Sequence, residues 1–305
     1  MARPTVSDVH REAILESVSI AYRNEGYIFD QVFPEIQVEE KSDYYYIFSK
    51  NAWFQDQVGI RAPGTRAKRV DYALASASYM CINYAIAKPV PDEVRANADA
   101  PLRPDMEASE FVTDALLRAQ ERRVATLITA SDGWAQSASP TTQWSSDTSN
   151  PFGDIMAAID GVVQRIGRRP NVAVTSWDVW RYLLNHPDFL DRVKYTRPSG
   201  VIQPGDITSW FEFDKFLIGY SLYDKALEGQ SASMTYIWDD DFWVGYVPTG
   251  PALMTPAAGY CLRWGTREIR RYREDQEKQD VLEASHYVDE CVTASDAGGI
   301  VYDAI

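Results

Sequence analysis

The chain is poor in cysteine, and the cysteines that it has do not define a fold. Cys81, Cys261 and Cys291 are odd in number, widely separated and without a CxxC motif. This spacing excludes a recognisable zinc ribbon or disulfide framework and fits a reducing compartment. The sequence also lacks an uncharged apolar run of about eighteen residues, so it predicts no membrane helix. Its first residues lack the apolar stretch of a secretion signal.

Motifs of catalysis and nucleotide binding are missing as well. The sequence contains no HExxH, no GxSxG, no Walker loop and no GxGxxG after a predicted strand. His10, His186 and His286 are far apart and share no ligand spacing. His186 lies in a His-Pro-Asp segment, where a capping or turn role is favoured over catalysis. We therefore expect that the chain is not an enzyme and that it carries no cofactor and no metal.

A run of three aspartates, at 239–241, is the only local pattern that suggests a cation site. Adjacent carboxylates can bind a divalent cation, but the run lacks the glycine and the terminal glutamate of an EF-hand loop. Aromatic-rich stretches, MTYIW and FWVGYV, flank it on both sides. We expect these stretches to form a hairpin, and a solvated turn at its tip is favoured over a metal site.

Basic residues are in deficit. The chain has 30 Lys and Arg against 44 Asp and Glu, which gives a net charge of −14. Such a surface repels phosphate backbones and anionic lipid, but it suits a wall that encloses DNA without gripping it. Hydrophobic residues make up 45% of the chain and aromatic residues 12%. These fractions predict a folded core with aromatic side chains left for contact surfaces.

Hydrophobic periodicity and turn signals predict a mixture of helices and strands. The predicted elements are a helix at 6–22, strands at 44–48 and 80–86, a long helix at 107–129, a helix from Pro151 to a Gly167 cap, a strand at 171–174, a helix capped by Thr175 or Ser176, a strand at 216–223, the hairpin around 239–241, and an acidic tail from Glu274 that ends in two short β-like pieces. The fold class is therefore α+β.

A segment of some thirty residues, from Ser49 to Ser78, separates the first two predicted strands. Loops this long are uncommon inside compact domains and usually have a function of their own. We expect an arm that reaches a neighbouring molecule, against an equally weighted alternative of a plain surface hairpin with a solvated basic tip. The candidate contact residues are Trp53, Phe54, Arg61, Arg66, Lys68 and Arg69.

Three stretches of the sequence resemble the Hong Kong 97-type fold of tailed-phage major capsid proteins. Residues 78–128 are similar to the far strand of an extended loop that runs into a spine helix. Residues 168–195 are similar to the axial-domain strand and its Trp-bearing helix, and DAGGIVYDAI, at 296–305, is similar to the last strand of the peripheral domain. The likeness in the order of elements covers most of the chain.

The resemblance implies a division of the chain. Its segments would be an N-terminal arm at 1–41, an extended β-hairpin loop at 42–88, a peripheral domain with the spine helix at 89–150, an axial domain at 151–255, and a return to the peripheral domain at 256–305. It implies self-assembly into hexamers and pentamers of an icosahedral head shell, which encloses double-stranded DNA without binding it specifically.

The resemblance also implies partners. The loop would lie over an adjacent subunit, with its basic tip on acidic surface. The arm starts close to the first residue, which favours a separate scaffolding protein, and a portal and a decoration protein are further expected partners. Assembly would take place in the bacterial host cytoplasm, away from any membrane, and the final location would be the capsid of the virion.

Two alternatives remain open at this point. An encapsulin-like shell protein would share the fold, whereas an α+β carbohydrate-active enzyme or sugar-binding module would account for the aromatic and acidic residues. Surface area separates the second from a shell protein. A compact monomer of this size exposes about 13,000 Å², and a subunit removed from a shell should expose clearly more.

Overall fold

A computed structural model of the chain describes residues 24, 26–48, 50–98, 102–194, 200–227, 229–250 and 254–305. The predicted helix at 6–22 lies outside these residues, as does the greater part of the predicted N-terminal arm. The part of the arm that lies within them contains one short helix and one strand.

The described ranges form an α+β structure, as expected. The helices are α1 (Phe29–Val32), α2 (Lys50–Phe54), α3 (Asp92–Asn97), α4 (Pro104–Ile128), α5 (Pro151–Ile166), α6 (Trp177–Asn185), α7 (Pro187–Val193) and α8 (Pro204–Phe211). The strands are β1 (Glu35–Val38), β2 (Ser42–Phe48), β3 (Leu74–Met80), β4 (Ile82–Pro91), β5 (Gln136–Ala138), β6 (Val172–Ser176), β7 (Lys215–Gly219), β8 (Leu222–Asp224), β9 (Met234–Tyr236), β10 (Phe242–Gly245), β11 (Gly259–Glu274), β12 (Gln279–Val292) and β13 (Gly298–Val301). Of the helices just given, none has the length and apolar character needed to cross a bilayer.

A four-stranded sheet, in the order β1-β11-β12-β4, carries the long helix α4 on one face. The apolar stripe of α4 packs on this sheet, with Val112 and Leu116 against Ala284 of β12. The segment from Glu274 is acidic, as expected, but it is not a tail with only two short β-like pieces. That region continues the hairpin of β11 and β12, whose pairing runs from Gly259 with Val292 to Glu274 with Gln279.

Ion pairs fix the far end of this hairpin to the start of α4. The carboxylate of Asp280 on β12 lies within bonding distance of Arg271, Arg273 and Arg95. Hydrogen bonds from Arg271 and then Arg273 lower the pKa of Asp280 to about 2, against the effect of its desolvation. Arg95, from α3, also contacts Asp105 in the first turn of α4 at 2.9 Å. A network of arginine–aspartate ion pairs therefore connects the end of the hairpin to the start of α4.

A five-stranded sheet, in the order β5-β13-β10-β6-β7, forms the second layer. β6 and β7 are parallel, with α6 between them in sequence, so the strand–helix–strand prediction for this region is confirmed. The caps of two helices are also as expected. Asn150 accepts a hydrogen bond from the Gly153 N–H, Gly167 ends α5 at a φ of 67°, and Ser176 caps α6.

The predicted hairpin around the aspartates at 239–241 is wrong. β9 pairs with β8, whereas β10 lies between β13 and β6 in the five-stranded sheet. The stretch at 216–223 is likewise divided, because β7 belongs to the large sheet and β8 to the small one. The chain turns inward between β9 and β10 because Trp238 is buried there. A Cβ on Gly219 would lie 2.1 Å from the Trp238 ring, so only glycine fits beneath it.

The carboxyl group of Glu121, in the middle of α4, connects the two layers. Glu121 is 0% exposed. Its Oε2 accepts the backbone N–H groups of Ile28 at 3.0 Å and Phe29 at 2.8 Å, and its Oε1 accepts the indole N–H of Trp238 at 2.6 Å. Burial raises the pKa of Glu121, and the hydrogen bonds from Trp238, Phe29 and Ile28 oppose that rise. One acidic side chain therefore joins the residues before β1, the long helix and the turn that leads into β10.

We expect Glu121→Gln to destabilise the protein by about 1.5–3 kcal/mol, the range for hydrogen bonds to a charged group. The amide NH₂ of glutamine would face N–H donors, which it cannot satisfy. Urea unfolding followed by circular dichroism measures the loss. Asp160→Asn, an exposed change on α5, is the control and should alter stability by less than about 0.5 kcal/mol. Equal stability of the two variants would contradict this role of Glu121.

A buried histidine lies beneath α4 on the four-stranded sheet. His286 of β12 is almost fully buried, and neither ring nitrogen has a hydrogen-bond partner among the described residues. Its ring meets the Tyr84 ring edge-on at 6.2 Å. Burial, and then the positive charges of Arg267, Arg123 and Arg263, lower the pKa of His286 to about 4. The imidazole is therefore held neutral at neutral pH.

The lowered pKa predicts a loss of stability in acid. In the unfolded chain His286 titrates near its ordinary value of about 6.5, so protonation favours unfolding as the pH falls from there toward 4. The free energy of unfolding should fall by up to about 3 kcal/mol over this window, relative to a variant without the titrating group. Urea titrations of the wild type and of His286→Gln, at several pH values, measure the difference. Parallel pH profiles for the two proteins would refute it.

Candidate assembly surface

The segment between the first two predicted strands is a projecting hairpin. β2 and β3 pair antiparallel, from Ser42 with Met80 to Phe48 with Leu74, and form a two-stranded sheet of their own. The single strand expected at 80–86 is divided at Cys81, whose N–H bonds to the Lys41 carbonyl at 2.9 Å. Beyond this point β4 joins the four-stranded sheet beside β12. Cys81 thus marks the base of the hairpin.

The outer part of the hairpin, residues 55–73, contains no helix or strand. A tight turn forms at Ala62–Thr65, where the Thr65 N–H bonds to the Ala62 carbonyl and Gly64 adopts a φ of 80°. The Arg61 guanidinium donates to the Thr65 carbonyl at 2.6 Å. Arg66, Lys68 and Arg69 are exposed and make no ion pair with any residue in the described ranges. Four positive charges therefore surround one turn.

The two aromatic candidates lie at the base of this loop, away from its basic tip. The ring of Trp53, on α2, is 6.4 Å from the rings of Phe48 and Tyr72, and those two rings are 5.8 Å apart. Phe54 lies over the end of α5, where a Cβ on Gly167 would be 3.6 Å from its ring. Both side chains remain more than half exposed. The structure thus places the aromatic and basic candidates at opposite ends of the loop.

An ion pair fixes the same base to the body of the molecule. The Lys50 Nζ lies 2.9 Å from the Asp296 carboxylate, which also faces Arg165 of α5 at 3.7 Å. Asp296 belongs to the short 3-10 helix at Ser295–Ala297, directly before β13. The base of the loop therefore contacts the body at the 3-10 helix before β13, and through Phe54 at the end of α5.

The aspartate run at 239–241 lies on the turn before β10. Asp241 is largely buried, and its Oδ1 accepts the Asp303 N–H at 3.1 Å. Burial raises the pKa of Asp241 to about 7, with a smaller rise from Asp240 and Asp239. Across the described ranges, no group of three or more histidine, cysteine or acidic side chains is arranged to hold a metal ion.

Curated relatives of the chain are phage proteins. The chain is 22% identical over 301 residues to the major capsid protein of Burkholderia phage BcepMu, with 95% of both chains covered. It is 24% identical over 229 residues to the major capsid protein of Pseudomonas phage JBD67, with 73% of both covered. No family model matches the sequence.

Solved structures agree with these relatives. The fold is similar to that of a phage-related protein from Bordetella bronchiseptica RB50, at 23% identity and a TM-score of 0.71, over 93% of this chain and 94% of the other. It is also similar to a chain of the cyanophage P-SCSP1u capsid, at 13% identity and a TM-score of 0.63, over 99% and 95%. The chain is similar to the major capsid proteins of tailed phages. It has an α+β capsid fold, and its function is to form the head shell of the virion.

The surface of the capsid protein is too large for a compact monomer. The chain exposes 19258 Å², about half as much again as the roughly 13,000 Å² expected of a compact chain of this size. The expected excess is thus confirmed. The curated relatives are phage major capsid proteins, which favours a phage shell over the cargo-shell and carbohydrate alternatives.

The sequence prediction missed part of the exposed surface of the capsid protein. Several apolar side chains of the hairpin strands are exposed beside the predicted contact residues. They are Tyr44, Tyr46, Ile47, Leu74 and Met80. No local signal could have found them, because Tyr44, Tyr45 and Tyr46 are consecutive and so occupy both faces of β2. The exposed tyrosines can be told from the buried one only when it is known which face of β2 packs on the rest of the molecule.

We expect trypsin to cut the free capsid protein after Arg61, Arg66, Lys68 or Arg69 and to cut assembled shells at least about tenfold more slowly. The reason is that an exposed loop without regular structure is a preferred site of proteolysis, and a loop that is covered in the shell is not. Mass spectrometry of the fragments identifies the cut. A variant with glutamine at all four positions is the control, because it should resist in both states. Equal cutting rates of shells and subunits would show that the loop stays uncovered.

Proposed function

We propose that the capsid protein closes into an icosahedral shell of hexamers and pentamers, in which the loop of each copy lies on an adjacent copy. The observation that carries this proposal is the loop itself. It holds four exposed basic side chains around one turn in a chain whose net charge is −14. A neighbouring copy therefore offers a surface of opposite charge.

The proposed division of the chain follows the observed elements. The hairpin of β2 and β3 and the loop between them form the extended loop, with Trp53, Phe54, Arg61, Arg66, Lys68 and Arg69 as its contact residues. The helix α4 is the spine helix, and it belongs with the four-stranded sheet to the peripheral domain. The five-stranded sheet with α5 and α6 is the axial domain. Residues 82–88, expected in the loop at 42–88, pair instead with β12, because Cys81 ends the hairpin.

Each proposed charged contact between copies contributes little free energy, but the sum of these contacts over the shell is large. One exposed ion pair contributes about 0–1 kcal/mol, so the basic residues of one loop add only a few kcal/mol. A closed shell repeats this contact on every copy. Weak single contacts also let misplaced subunits leave before the shell closes, whereas a few strong ones would trap errors.

The negative net charge of the chain supports a shell that has no affinity for the DNA inside it. We infer that the shell encloses double-stranded DNA without specific contacts, because an acidic surface repels the phosphate backbone. On the same proposal the protein is not an enzyme. A separate scaffolding protein, a portal and a decoration protein act with it, and assembly takes place in the host cytoplasm.

We expect reversal of three loop charges, Arg66→Glu, Lys68→Glu and Arg69→Glu together, to impair assembly and leave the isolated fold intact. Turning attraction into repulsion should cost about 2 kcal/mol for each docked loop, or roughly a thirtyfold weaker contact. The measurement is the yield of shells from cells that also produce the scaffolding protein, by gradient sedimentation and electron microscopy. Thermal melting of the subunit should not change.

A matched control lies in the same loop. Asp56→Lys with Asp71→Lys changes the loop charge in the opposite sense, so this variant should assemble at least as well as the wild type at moderate salt. Normal shells from the triple variant would contradict the proposal that the basic tip docks on a neighbouring copy. Loss of shells in both variants would show that the loop contact does not depend on charge.

A further inference from the structure

The two faces of the hairpin formed by β2 and β3 have different surroundings. In an antiparallel pair, directly opposed residues point to the same side. One face therefore holds Tyr45 with Ala77 and, on either side of them, Asp43 with Tyr79 and Ile47 with Ala75. The other face, here called the open face, holds four opposed pairs: Ser42 with Met80, Tyr44 with Ser78, Tyr46 with Ser76, and Phe48 with Leu74.

The first face is attached to the molecule. Tyr79 is only 9% exposed and packs with Cys81 and Leu262, and Tyr45 joins the same cluster beside Tyr287. The Tyr79 hydroxyl donates to the Glu40 carbonyl at 3.2 Å, and the Met80 N–H donates to the Asp289 carboxylate at 2.9 Å. These contacts fix the rotation of the hairpin about its long axis. The open face is therefore presented in one direction.

The open face is uncovered. Tyr44 is 66% exposed, Tyr46 69% and Met80 59%. The residues opposite the two tyrosines are serines, so each ring stands clear of its cross-strand partner. At the far end Phe48 continues the face into Trp53 and Tyr72. An isolated two-stranded hairpin is marginally stable at best, and a row of aromatic side chains on one side of it leaves apolar surface in water.

We infer that the open face is the docking surface of the loop and that its occupant is a second copy of this chain. The inference rests on the proposed function and adds to it the face of the hairpin that meets the neighbour. The basic tip then serves to guide and align the loop, whereas the aromatic rings of the open face hold it.

The area of the open face supports this occupant. A buried aromatic side chain covers about 150–250 Å², so the exposed parts of Tyr44, Tyr46, Trp53 and Tyr72 together give roughly 400–600 Å². This is about half to three quarters of the roughly 800 Å² that each partner contributes to a specific interface. Leu74 and Met80 add to it. A monomer seldom exposes a larger apolar patch than this, and the neighbours of each subunit in the shell are copies of the same chain.

A photo-crosslinking experiment on assembled shells tests the inference directly. The full chain carries p-benzoylphenylalanine at position 46, on the open face, or at position 47, on the opposite face, and is produced together with the scaffolding protein. We expect irradiated shells to yield a covalent dimer of the chain from position 46, at least tenfold more than from position 47. A product with scaffolding protein or nucleic acid alone, or equal dimer from both positions, would overturn the inference.

Substitutions give a second readout. Tyr44→Ser with Tyr46→Ser should lower the yield of shells at least tenfold, with unchanged melting of the subunit because both side chains are already exposed. Tyr44→Phe with Tyr46→Phe should restore the yield to within about twofold. Ile47→Ser, on the opposite face, is the matched control and should assemble like the wild type.

These outcomes separate the inference from the proposed function. If the wild type forms shells and the serine variant forms them equally well, the open face is not the docking surface but the shell function stands. If the purified wild-type chain remains a monomer with its scaffolding protein present, the proposed function itself fails. If only the charge-reversed variant loses assembly, the basic tip alone holds the loop and the inference is wrong.

Discussion

The hydrogen bonds of Glu121 are the constraint on which the architecture depends. The carboxyl group lies between two layers that share no strand, and it takes N–H groups from the arm and from the turn before β10. Because an unsatisfied carboxylate inside a protein costs far more than one on the surface, the three donors must arrive together. The long helix can therefore occupy its place only when the residues before β1 and the second sheet are also in theirs.

Elements with local signals could be predicted from the sequence. Asn150 and Gly167 bound α5, and an apolar stripe marks α4. Elements that depend on residues far away in the sequence could not be predicted. β11 carries Arg263 and Arg271 on the same face as the apolar Val288 and Leu282 of β12. Glu35 and Asp280, from other strands, neutralise these two arginines, so the alternation of β11 is hidden. β9 and β10 look like one hairpin until Trp238 is seen to turn inward against Gly219.

The candidate site divides in the same way. Charge and loop length identified the basic tip, since four basic residues around a Pro-Gly turn are visible in the sequence alone. The open face was not predicted, because β2 reads Tyr44, Tyr45, Tyr46 without any local difference between them. The distinction comes from Leu262, far along the chain, which covers the side with Tyr45 and Tyr79. Which tyrosines are free to meet a neighbour is thus decided by tertiary packing.

The large surface of the single subunit has a consequence for the rate at which shells must form. A newly made chain with an uncovered aromatic ribbon is prone to aggregate with any exposed apolar surface and is open to proteases, so its useful lifetime before capture is short. Shell formation then becomes a competition between rates, in which the supply of subunits must match their incorporation. Production of the chain faster than its incorporation would therefore end in aggregates and not in more shells.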